Sequence, residues 1–152
     1  MNGHSDTRKR REEIAIRYFR MVDAGNPAVI DLFTEDARLF YPKFGLARGK
    51  EQIGAFAQGL ARGIASLEHE IEDFTVLTSG SHVVVEGAEK GTTTSGVDFP
   101  DGVYSFGLFC NVFEFEGELI KRLHIYVDPD FANTHAEGVA WGKSVRDGIA
   151  SL

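Results

Sequence analysis

The apolar positions of the chain recur with a helical period in its first third and with a strand period in its middle. Between about Thr7 and Ala24 they are three or four residues apart, which predicts an amphipathic helix that ends at Gly25. Asn26 and Pro27 then predict a short second helix, because asparagine caps a helix start and proline fits the first turn. A third helix, bounded by glycines, is predicted from the apolar residues Ile53, Phe56, Ala57 and Leu60.

A run of strands is predicted after these helices. A short strand from Ala37 to Tyr41 comes earlier and is ended by Pro42. Beyond Gly63 four alternating runs predict longer strands: Leu67 to Leu77, Val83 to Thr94, Val103 to Phe115 and Leu119 to Val127. Short turns between them favour antiparallel neighbours, and helices followed by such strands are typical of an α+β domain with a curved antiparallel sheet. The helix residues expected to pack onto this sheet are Phe19, Val22, Phe56 and Leu60.

The length of the chain indicates one domain. At 152 residues it is long enough to bury a core without disulfides or metals, and no repeat or linker divides it. We expect a single domain over residues 1–152, with a core over about 10–131 and a C-terminal tail over 132–152. The tail contains Trp141 and is expected to pack on the sheet or on a partner subunit. Cys110 is the only cysteine, so an internal disulfide is excluded.

The charge pattern limits the possible partners. A net charge of -7 disfavours nucleic acid, whose phosphates require a basic surface. The one basic run, residues 8–11, is followed by Glu12 and Glu13, which indicates the solvated start of a helix. No apolar run reaches the ~18 residues of a membrane span, and the N-terminus lacks an apolar signal-peptide segment. We therefore expect a cytoplasmic protein without nucleic-acid or membrane partners.

Two titratable side chains fall on strand faces that are otherwise apolar. Glu89 shares a face with Val83 and Val85, where desolvation would make its carboxyl group a candidate general acid or base. If the strand faces the other way, Glu89 is merely solvated. His69 lies between Glu68 and Glu70, on the apolar face of its own strand. A lone histidine in that position is either a satisfied structural group or a catalytic one.

The last strand predicts which sheet face is available to a partner. His124, Tyr126 and Asp128 alternate with an apolar set that includes Ile125. If the apolar set faces the interior, the other set faces a partner or solvent, although Asp128 is close enough to the strand end to turn back. A homodimer is expected, because a second apolar face of the sheet needs cover. Its predicted contact combines His124 and Tyr126 with the preceding strand's Phe109, Asn111, Phe113 and Phe115. Alternatively, the C-terminal tail covers this face within the monomer.

Neither a metal nor a nucleotide cofactor is expected. The five histidines show no His-x-His or His-x3-His spacing. The chain contains no Gly-x-Gly-x-x-Gly, phosphate loop or nucleophile elbow. Cys110 lies in a phenylalanine-rich strand and is interpreted as a small buried hydrophobe rather than a nucleophile.

Three segments resemble the nuclear-transport-factor-2-like superfamily, over about residues 10–131. They are Tyr41-Pro42-Lys43-Phe44-Gly45 with Gly49-Lys50, Phe109-Cys110-Asn111-Val112-Phe113, and residues 124–131. The resemblance is to the SnoaL-like polyketide cyclase, scytalone dehydratase and limonene epoxide hydrolase branches. It implies a cone-shaped, cystatin-like α+β barrel with a deep pocket, often dimerising through the sheet. It implies no single reaction, because the fold also hosts noncatalytic binding modules.

The resemblance also suggests site residues. Asp23, Tyr41 and His69 fall at the places of an aspartate, a tyrosine and a histidine of scytalone dehydratase. Glu89 falls at the place of a carboxylate of the epoxide hydrolases. The last-strand aspartate that those hydrolases share with SnoaL-like cyclases is replaced by Ile125. Each known site is therefore matched only in part.

Together these observations predict a cofactor-independent acid/base enzyme, a dehydratase, isomerase or cyclase, acting on a small, largely apolar metabolite. The predicted catalytic residues are His69, Glu89, Tyr41 and Asp23. Tyr41 would donate a hydrogen bond to a substrate oxygen, and Asp23 would orient His69. The predicted substrate-binding residues are Phe19, Phe56, Leu60, Leu108, Cys110 and Ile125. A noncatalytic ligand-binding or dimerisation module and an epoxide hydrolase are the alternatives.

Overall fold

The computed structural model describes residues 3–129, 131 and 136–150. Its helices are α1 (Gly3–Asp23), α2 (Gly49–Ala61) and α3 (Ala136–Ala150), with short 3-10 helices at Pro27–Leu32 and Ile71–Asp73. Its strands are β1 (Phe33–Tyr41), β2 (Gly45–Arg48), β3 (Ile64–His69), β4 (Thr75–Ser79), β5 (His82–Thr93), β6 (Asp98–Phe99), β7 (Leu108–Glu116) and β8 (Leu119–Val127). The α+β class, the helices around Tyr18 and Phe56, and the last strand are confirmed.

The strands form one strongly curled, half-barrel sheet. The order is β2-β1-β8-β7-β5-β3, and β4 and β6 also pair with the long strand β5. All pairs are antiparallel except β1 and β8, which run parallel with Leu39 beside Leu123. The expectation of a wholly antiparallel sheet is therefore wrong at this pair. Short turns fix the direction only of strands that follow one another, and β1 and β8 are far apart in the sequence.

Two predicted strands differ from the observed ones. The run from Leu67 to Leu77 is two strands, β3 and β4, which pair with different halves of β5. The strand predicted from Val103 begins only at Leu108. The carboxylate of Asp101 accepts the backbone N–H groups of residues 103–105, which holds that segment in a turn.

The helices cover the concave side of the sheet. α1 packs against β3, β4 and β5, and α2 packs against β1, β2 and β3. The largest fully buried side chains are Phe19, Phe33, Phe113, Ile120, Leu123, Val83 and Val85. The basic run at the start of α1 anchors turns of the sheet, since Arg11 donates to the carbonyls of Gly80 and Gly117 and Arg10 pairs with Glu118.

The facing of β7 is opposite to the predicted one. Residues directly opposed on neighbouring strands share a face of the sheet. Leu123 and Ile125 of β8 are buried, and they oppose Phe113 and Asn111 of β7. The proposed dimer contact through Phe109, Asn111, Phe113 and Phe115 is therefore wrong, because all four are buried in the interior.

The C-terminal tail contains a helix that the sequence did not predict. In α3 the side chain of Trp141 is exposed, so it does not cover the sheet. The guanidinium carbon of Arg146 lies 5.4 Å from the centre of the Tyr104 ring. Residues 130 and 132–135 of the predicted core and tail lie outside the described residues. Among the helices that are described, none has the length and apolarity needed to cross a membrane.

Asp128 fixes the turn that precedes β7. Its Oδ1 accepts the backbone N–H of Leu108 at 2.9 Å and the hydroxyl of Ser105 at 3.3 Å, and its Oδ2 accepts the N–H of Phe106 at 3.0 Å. The turn also holds β5 in place, because the carbonyl of Gly107 accepts the backbone N–H of Glu89 at 2.8 Å. Asp128 thus turns back toward the chain, as one reading of the sequence allowed.

We predict that Asp128→Ala lowers the free energy of unfolding by roughly 1–3 kcal/mol, because it leaves several donors without an acceptor. Urea denaturation measures this change. Asp31→Ala, at an exposed position of the first 3-10 helix, is the control and should change stability little. Equal stabilities of the two variants would contradict the structural role of Asp128.

Candidate active site

A cavity of about 50 Å³ lies on the concave side of the sheet. Its walls are formed by side chains from both N-terminal helices and from strands β1, β3, β5, β7 and β8. The apolar and aromatic lining residues are Tyr18, Val22, Tyr41, Phe56, Leu60, Ile64, Leu67, Phe109, Ile125, Val127 and Phe131. The polar lining residues are His69, Glu89 and Asn111. A few polar groups among apolar walls are typical of a small-molecule site.

His69 is hydrogen-bonded to a carboxylate on each side, and we call this arrangement the Asp23–His69–Glu89 triad. The Nδ1 atom of His69 lies 2.5 Å from Oδ1 of Asp23, and its Nε2 atom lies 3.0 Å from Oε2 of Glu89. The other oxygen of Asp23, Oδ2, accepts the backbone N–H of His69 at 2.9 Å. Both His69 and Glu89 are buried.

The local structure explains why these three side chains meet. Asp23 is the last residue of α1, and His69 is the last residue of β3. Glu89 stands directly opposite His69 in the antiparallel pair of β3 and β5, so both side chains point to the same face. The alternation that placed Glu89 with Val83 and Val85 on the inner face is confirmed, and the solvated alternative for Glu89 is not observed.

Glycines allow aromatic rings to pack closely around Glu89. A Cβ atom on Gly87 would lie 2.5 Å from the ring of Phe74, and one on Gly91 would lie 2.5 Å from the ring of Phe99. A Cβ atom on Gly107 would meet the carbonyl oxygen of Glu89 at 2.2 Å. Larger residues at these positions would displace the strand segment that carries Glu89.

The charge state of His69 follows from two opposing effects. Burial disfavours the charged ring and lowers its pKa, but the hydrogen bonds and charges of Asp23 and Glu89 together outweigh burial. The result is a pKa for His69 raised from its usual 6.5 to about 9. At neutral pH the triad therefore contains an imidazolium that donates both N–H groups to carboxylates, and one negative charge remains in excess.

Two phenols adjoin the triad. Burial, followed by the negative charge of Glu89, raises the pKa of Tyr18 and of Tyr41 well above the usual value for a phenol. Both hydroxyl groups therefore stay protonated and can donate hydrogen bonds into the cavity. Tyr41 was predicted from the sequence, whereas Tyr18 was not. The spacing of Tyr18 and Val22, four residues apart on α1, would have placed them on one helix face.

Asn111 is a second residue that the sequence analysis did not assign to the site. It is only 3% exposed, and its Oδ1 atom has no hydrogen-bond partner among the described residues. Nearly all buried polar atoms in folded proteins have a partner, so this atom is an unused acceptor on a residue that lines the cavity. The buried side of β7 could have been identified from the large aromatic residues at positions 109, 113 and 115, which share the parity of Asn111.

The structure brings most of the predicted site residues together. His69, Glu89 and Tyr41 line the cavity, as do Phe56, Leu60 and Ile125. Asp23 contacts His69 from behind.

Three predicted substrate-binding residues lie elsewhere. Leu108 is 56% exposed, and Cys110 lies on the same outward side of β7, so both predictions are wrong because the facing of that strand was reversed. Phe19 is fully buried and packs edge-on against the ring of His69, with ring centres 4.9 Å apart. It supports His69 and does not line the cavity.

No set of three or more histidine, cysteine, aspartate or glutamate side chains in the described part of the chain is arranged to hold a metal ion.

Solved structures with similar folds come from several bacteria. A nuclear-transport-factor-2-like protein from Anabaena variabilis has a TM-score of 0.70 and 20% identity, and the match covers 86% of this chain and 96% of that one. A proposed polyketide cyclase from Xanthomonas campestris has a TM-score of 0.65 and 17% identity, covering 79% and 91%. A protein with a ketosteroid isomerase-like fold from Catenulispora acidiphila, in complex with trimethylamine, has a TM-score of 0.63 and 20% identity, covering 76% and 85%. At these identities the likeness shows the fold alone.

The sequence itself was compared with family models and with curated proteins. No match was found among the curated proteins. The model of the SnoaL-like domain matches residues 15–123, which is more than half of the chain and includes Tyr18, Asp23, Tyr41, His69, Glu89 and Asn111. The chain therefore belongs to the SnoaL-like domain family and has the nuclear-transport-factor-2-like fold.

Proposed function

We propose that the protein is a cofactor-independent acid/base enzyme, a dehydratase, isomerase or cyclase, that acts on a small, largely apolar molecule in the cavity. The observation that carries this proposal is the Asp23–His69–Glu89 triad, in which His69 and Glu89 are buried, beside two protonated phenols. A carboxylate, an imidazolium and phenols in an apolar cavity can move protons without a metal. The fold family, which includes polyketide cyclases and ketosteroid isomerase-like proteins, supports the same class of chemistry.

Glu89 is the general base in this proposal. Both ring nitrogens of His69 donate to carboxylates, so the imidazolium has no lone pair with which to remove a proton. One oxygen of Glu89 accepts from His69, and the carboxylate retains further lone pairs for a substrate proton. His69 orients Glu89 and balances its charge, and Asp23 does the same for His69. Groups whose pKa is shifted by burial and by neighbouring charges, as that of His69 is, are concentrated at functional sites.

The proton that Glu89 removes is returned in an isomerisation and in a dehydration. Glu89 removes a proton from a carbon atom next to a carbonyl group, and Tyr41 and Tyr18 donate hydrogen bonds to the oxygen that gains negative charge. In an isomerisation the protonated Glu89 returns the proton to a different carbon. In a dehydration it gives the proton to the departing hydroxyl group, and water leaves. In both cases Glu89 is regenerated as a carboxylate.

A noncatalytic small-ligand-binding module is the second candidate. The cavity of about 50 Å³ is smaller than the several hundred Å³ of most substrate pockets. The Catenulispora acidiphila neighbour in complex with trimethylamine shows a small organic molecule associated with the same fold. Such a module would use the cavity without proton transfer, which a kinetic experiment can decide.

We predict that the protein accelerates hydrogen–deuterium exchange at the α-carbons of small ketones in D2O, followed by proton NMR. Acetone is suitable because it is small enough for the cavity and carries only one type of acidic proton. Glu89→Gln should slow the catalysed exchange by on the order of a hundredfold or more, because it removes the base. Tyr41→Phe should slow it by about tenfold with little change in stability, because it deletes one hydrogen-bond donor.

Glu86→Gln is the matched control for this experiment. Glu86 lies on the same strand as Glu89 but is exposed, so the control makes the same chemical change outside the cavity. It should retain the wild-type rate. Exchange that is equally fast in Glu89→Gln, or no acceleration by the wild-type protein, would favour the binding module.

The raised pKa of His69 predicts a pH-dependent stability. Because the folded protein holds this proton more tightly than the unfolded chain, the stabilisation is complete below pH 6.5 and is lost as the pH rises to about 9. The free energy of unfolding should fall by up to about 1.4 kcal/mol per pH unit in this window. Urea denaturation of the wild-type protein and of His69→Gln measures the difference, and the variant should lack this slope.

His124→Gln is the control for the pH dependence. His124 lies on the outer side of the sheet, where burial and then Arg122 lower its pKa, so its titration falls below this window. This control should keep the wild-type slope between pH 6.5 and 9. A wild-type protein without the slope would contradict a charged His69.

We also propose that the chain forms a homodimer through the convex side of the sheet, here called the outer sheet face. This face consists of Phe40, Cys110, Val112, His124 and Tyr126. The ring of Phe40 lies 5.7 Å from that of His124 and 6.0 Å from that of Tyr126, centre to centre. Tyr126 is 49% exposed. An aromatic cluster exposed on a sheet needs cover, and a second copy presents a matching surface.

Light scattering at tens of micromolar should show a dimer for the wild-type protein and a monomer for Tyr126→Glu. A charge in the centre of a symmetric contact is repelled by its own copy and is costly to bury. Val97→Glu makes the same kind of change at an exposed apolar residue outside the outer sheet face and should remain dimeric. A monomeric wild-type protein would refute the dimer.

A further inference from the structure

We propose that the cavity selects small organic cations: ligands of about four non-hydrogen atoms with an ammonium group, in preference to neutral or anionic molecules of the same size. This inference concerns the cavity of the proposed function, but it names a ligand and not the substrate, because such an ammonium has no carbonyl group beside which Glu89 could remove a proton. It goes beyond that function in specifying the charge and the hydrogen-bonding group of the ligand. Four features of the cavity support it.

The first feature is the unbalanced charge. Of the triad, Glu89 and the positively charged His69 line the cavity, and the excess negative charge of the triad comes from Asp23, which contacts His69 on the side away from the cavity. No lysine or arginine is among the described residues that line the cavity. A buried charge is stabilised by an opposite charge and destabilised by a like one. An ammonium group would neutralise the site, whereas a carboxylate or phosphate would add to its excess.

The second feature is the unpartnered acceptor. The Oδ1 atom of Asn111 is buried in the cavity wall and has no donor among the described residues. Because this atom already lacks a donor in the unliganded protein, a ligand that donates to it adds a hydrogen bond without breaking one. An ammonium or hydroxyl group can donate to it. A ketone or a carboxylate has no proton to donate.

The third feature is the aromatic wall. The rings of Tyr18, Tyr41, Phe56 and Phe109 line the cavity. The faces of aromatic rings attract cations, and the attraction is strongest where water is excluded. A neutral alcohol could satisfy Asn111, but it would gain nothing from the ring faces or from the excess carboxylate. Only a cationic donor uses all of these groups.

The fourth feature is the size of the cavity. Its volume is about 50 Å³, and one water-sized group requires about 10–15 Å³ on this scale. The cavity therefore holds about four such groups. Isopropylammonium, 2-propanol, acetone and acetate have four non-hydrogen atoms each and a similar branched or planar shape. They differ in charge and in whether they can donate a hydrogen bond.

Titrations of the wild-type protein with these four compounds at pH 7, followed by NMR chemical shifts, test the inference. Isopropylammonium is protonated at this pH, as a lysine side chain is. It should bind at least about tenfold more tightly than acetone or acetate, because those two can accept only from the neutral phenols of Tyr18 and Tyr41 and leave Asn111 without a donor. The alcohol should fall between them. The shifts should include the backbone signals of His69, Glu89 and Asn111.

Two variants separate the contributions of charge and hydrogen bonding. Glu89→Gln removes the excess charge and should reduce the preference for isopropylammonium over 2-propanol to about twofold or less. Asn111→Leu removes the acceptor and should reduce the preference for 2-propanol over acetone in the same way. Glu86→Gln, on the exposed side of β5, should leave all four affinities unchanged. The order of the four affinities in the wild-type protein tests the inference without any variant.

The outcomes distinguish this inference from the proposed function. Equal or tighter binding of acetone or acetate would overturn the inference, and Glu89-dependent proton exchange in ketones would still support the enzyme. Ammonium-selective binding without any exchange activity would overturn the enzyme and retain the cation preference as that of a binding module. Binding of isopropylammonium without shifts at His69, Glu89 or Asn111 would place it outside the cavity and also overturn the inference.

Discussion

The buried carboxylate of Glu89 and the half-buried one of Asp23 lie close together in this protein, where they repel one another and lose hydration, and the proton on His69 offsets both effects. The imidazolium lies between Asp23 and Glu89 and donates one N–H to each. Removing one partner of such a buried pair leaves an uncompensated charge, which is strongly destabilising. The triad therefore links three elements that are distant in sequence: the end of α1, the end of β3 and the middle of β5. Their alignment fixes the positions of His69 and Glu89 in the cavity wall.

The rest of the fold positions these elements and keeps water away from them. Phe19 and Phe109 pack against the imidazole ring, with ring centres 4.9 Å and 5.2 Å from it. Glycine at position 87 lets an aromatic ring approach the strand that carries Glu89. Asp128 holds the turn whose carbonyl binds the backbone of Glu89. A site of preorganised charges on rigid strands suits proton transfer, because little reorganisation is needed as charge moves.

Periodicity alone predicted the first and third helices, the alternation that places Glu89 with Val83 and Val85 on one face of β5, and the whole of β8, but it left open which face of β5 is the inner one. It failed where non-local contacts decide the structure. The parallel pairing of β1 with β8 depends on strands far apart in sequence, and the late start of β7 depends on the Asp101 turn. The facing of β7 was assigned wrongly, and so were the positions of Leu108 and Asn111. Both faces of this strand carry apolar residues, so its alternation does not show which face is buried. The convergence of Asp23, His69 and Tyr41 was suggested by family resemblance, whereas the buried, unpartnered oxygen of Asn111 required the structure.

The central claim is that His69 is an imidazolium held between two carboxylates in the resting protein. Nitrogen-15 NMR of its imidazole ring across the pH range tests this most directly, since a protonated and an unprotonated ring nitrogen have very different chemical shifts. Both ring nitrogens should be protonated at pH 7, and their signals should titrate with a midpoint near pH 9. A neutral ring at pH 7, with one nitrogen lacking a proton, would contradict the imidazolium and would make His69 the better candidate for the general base.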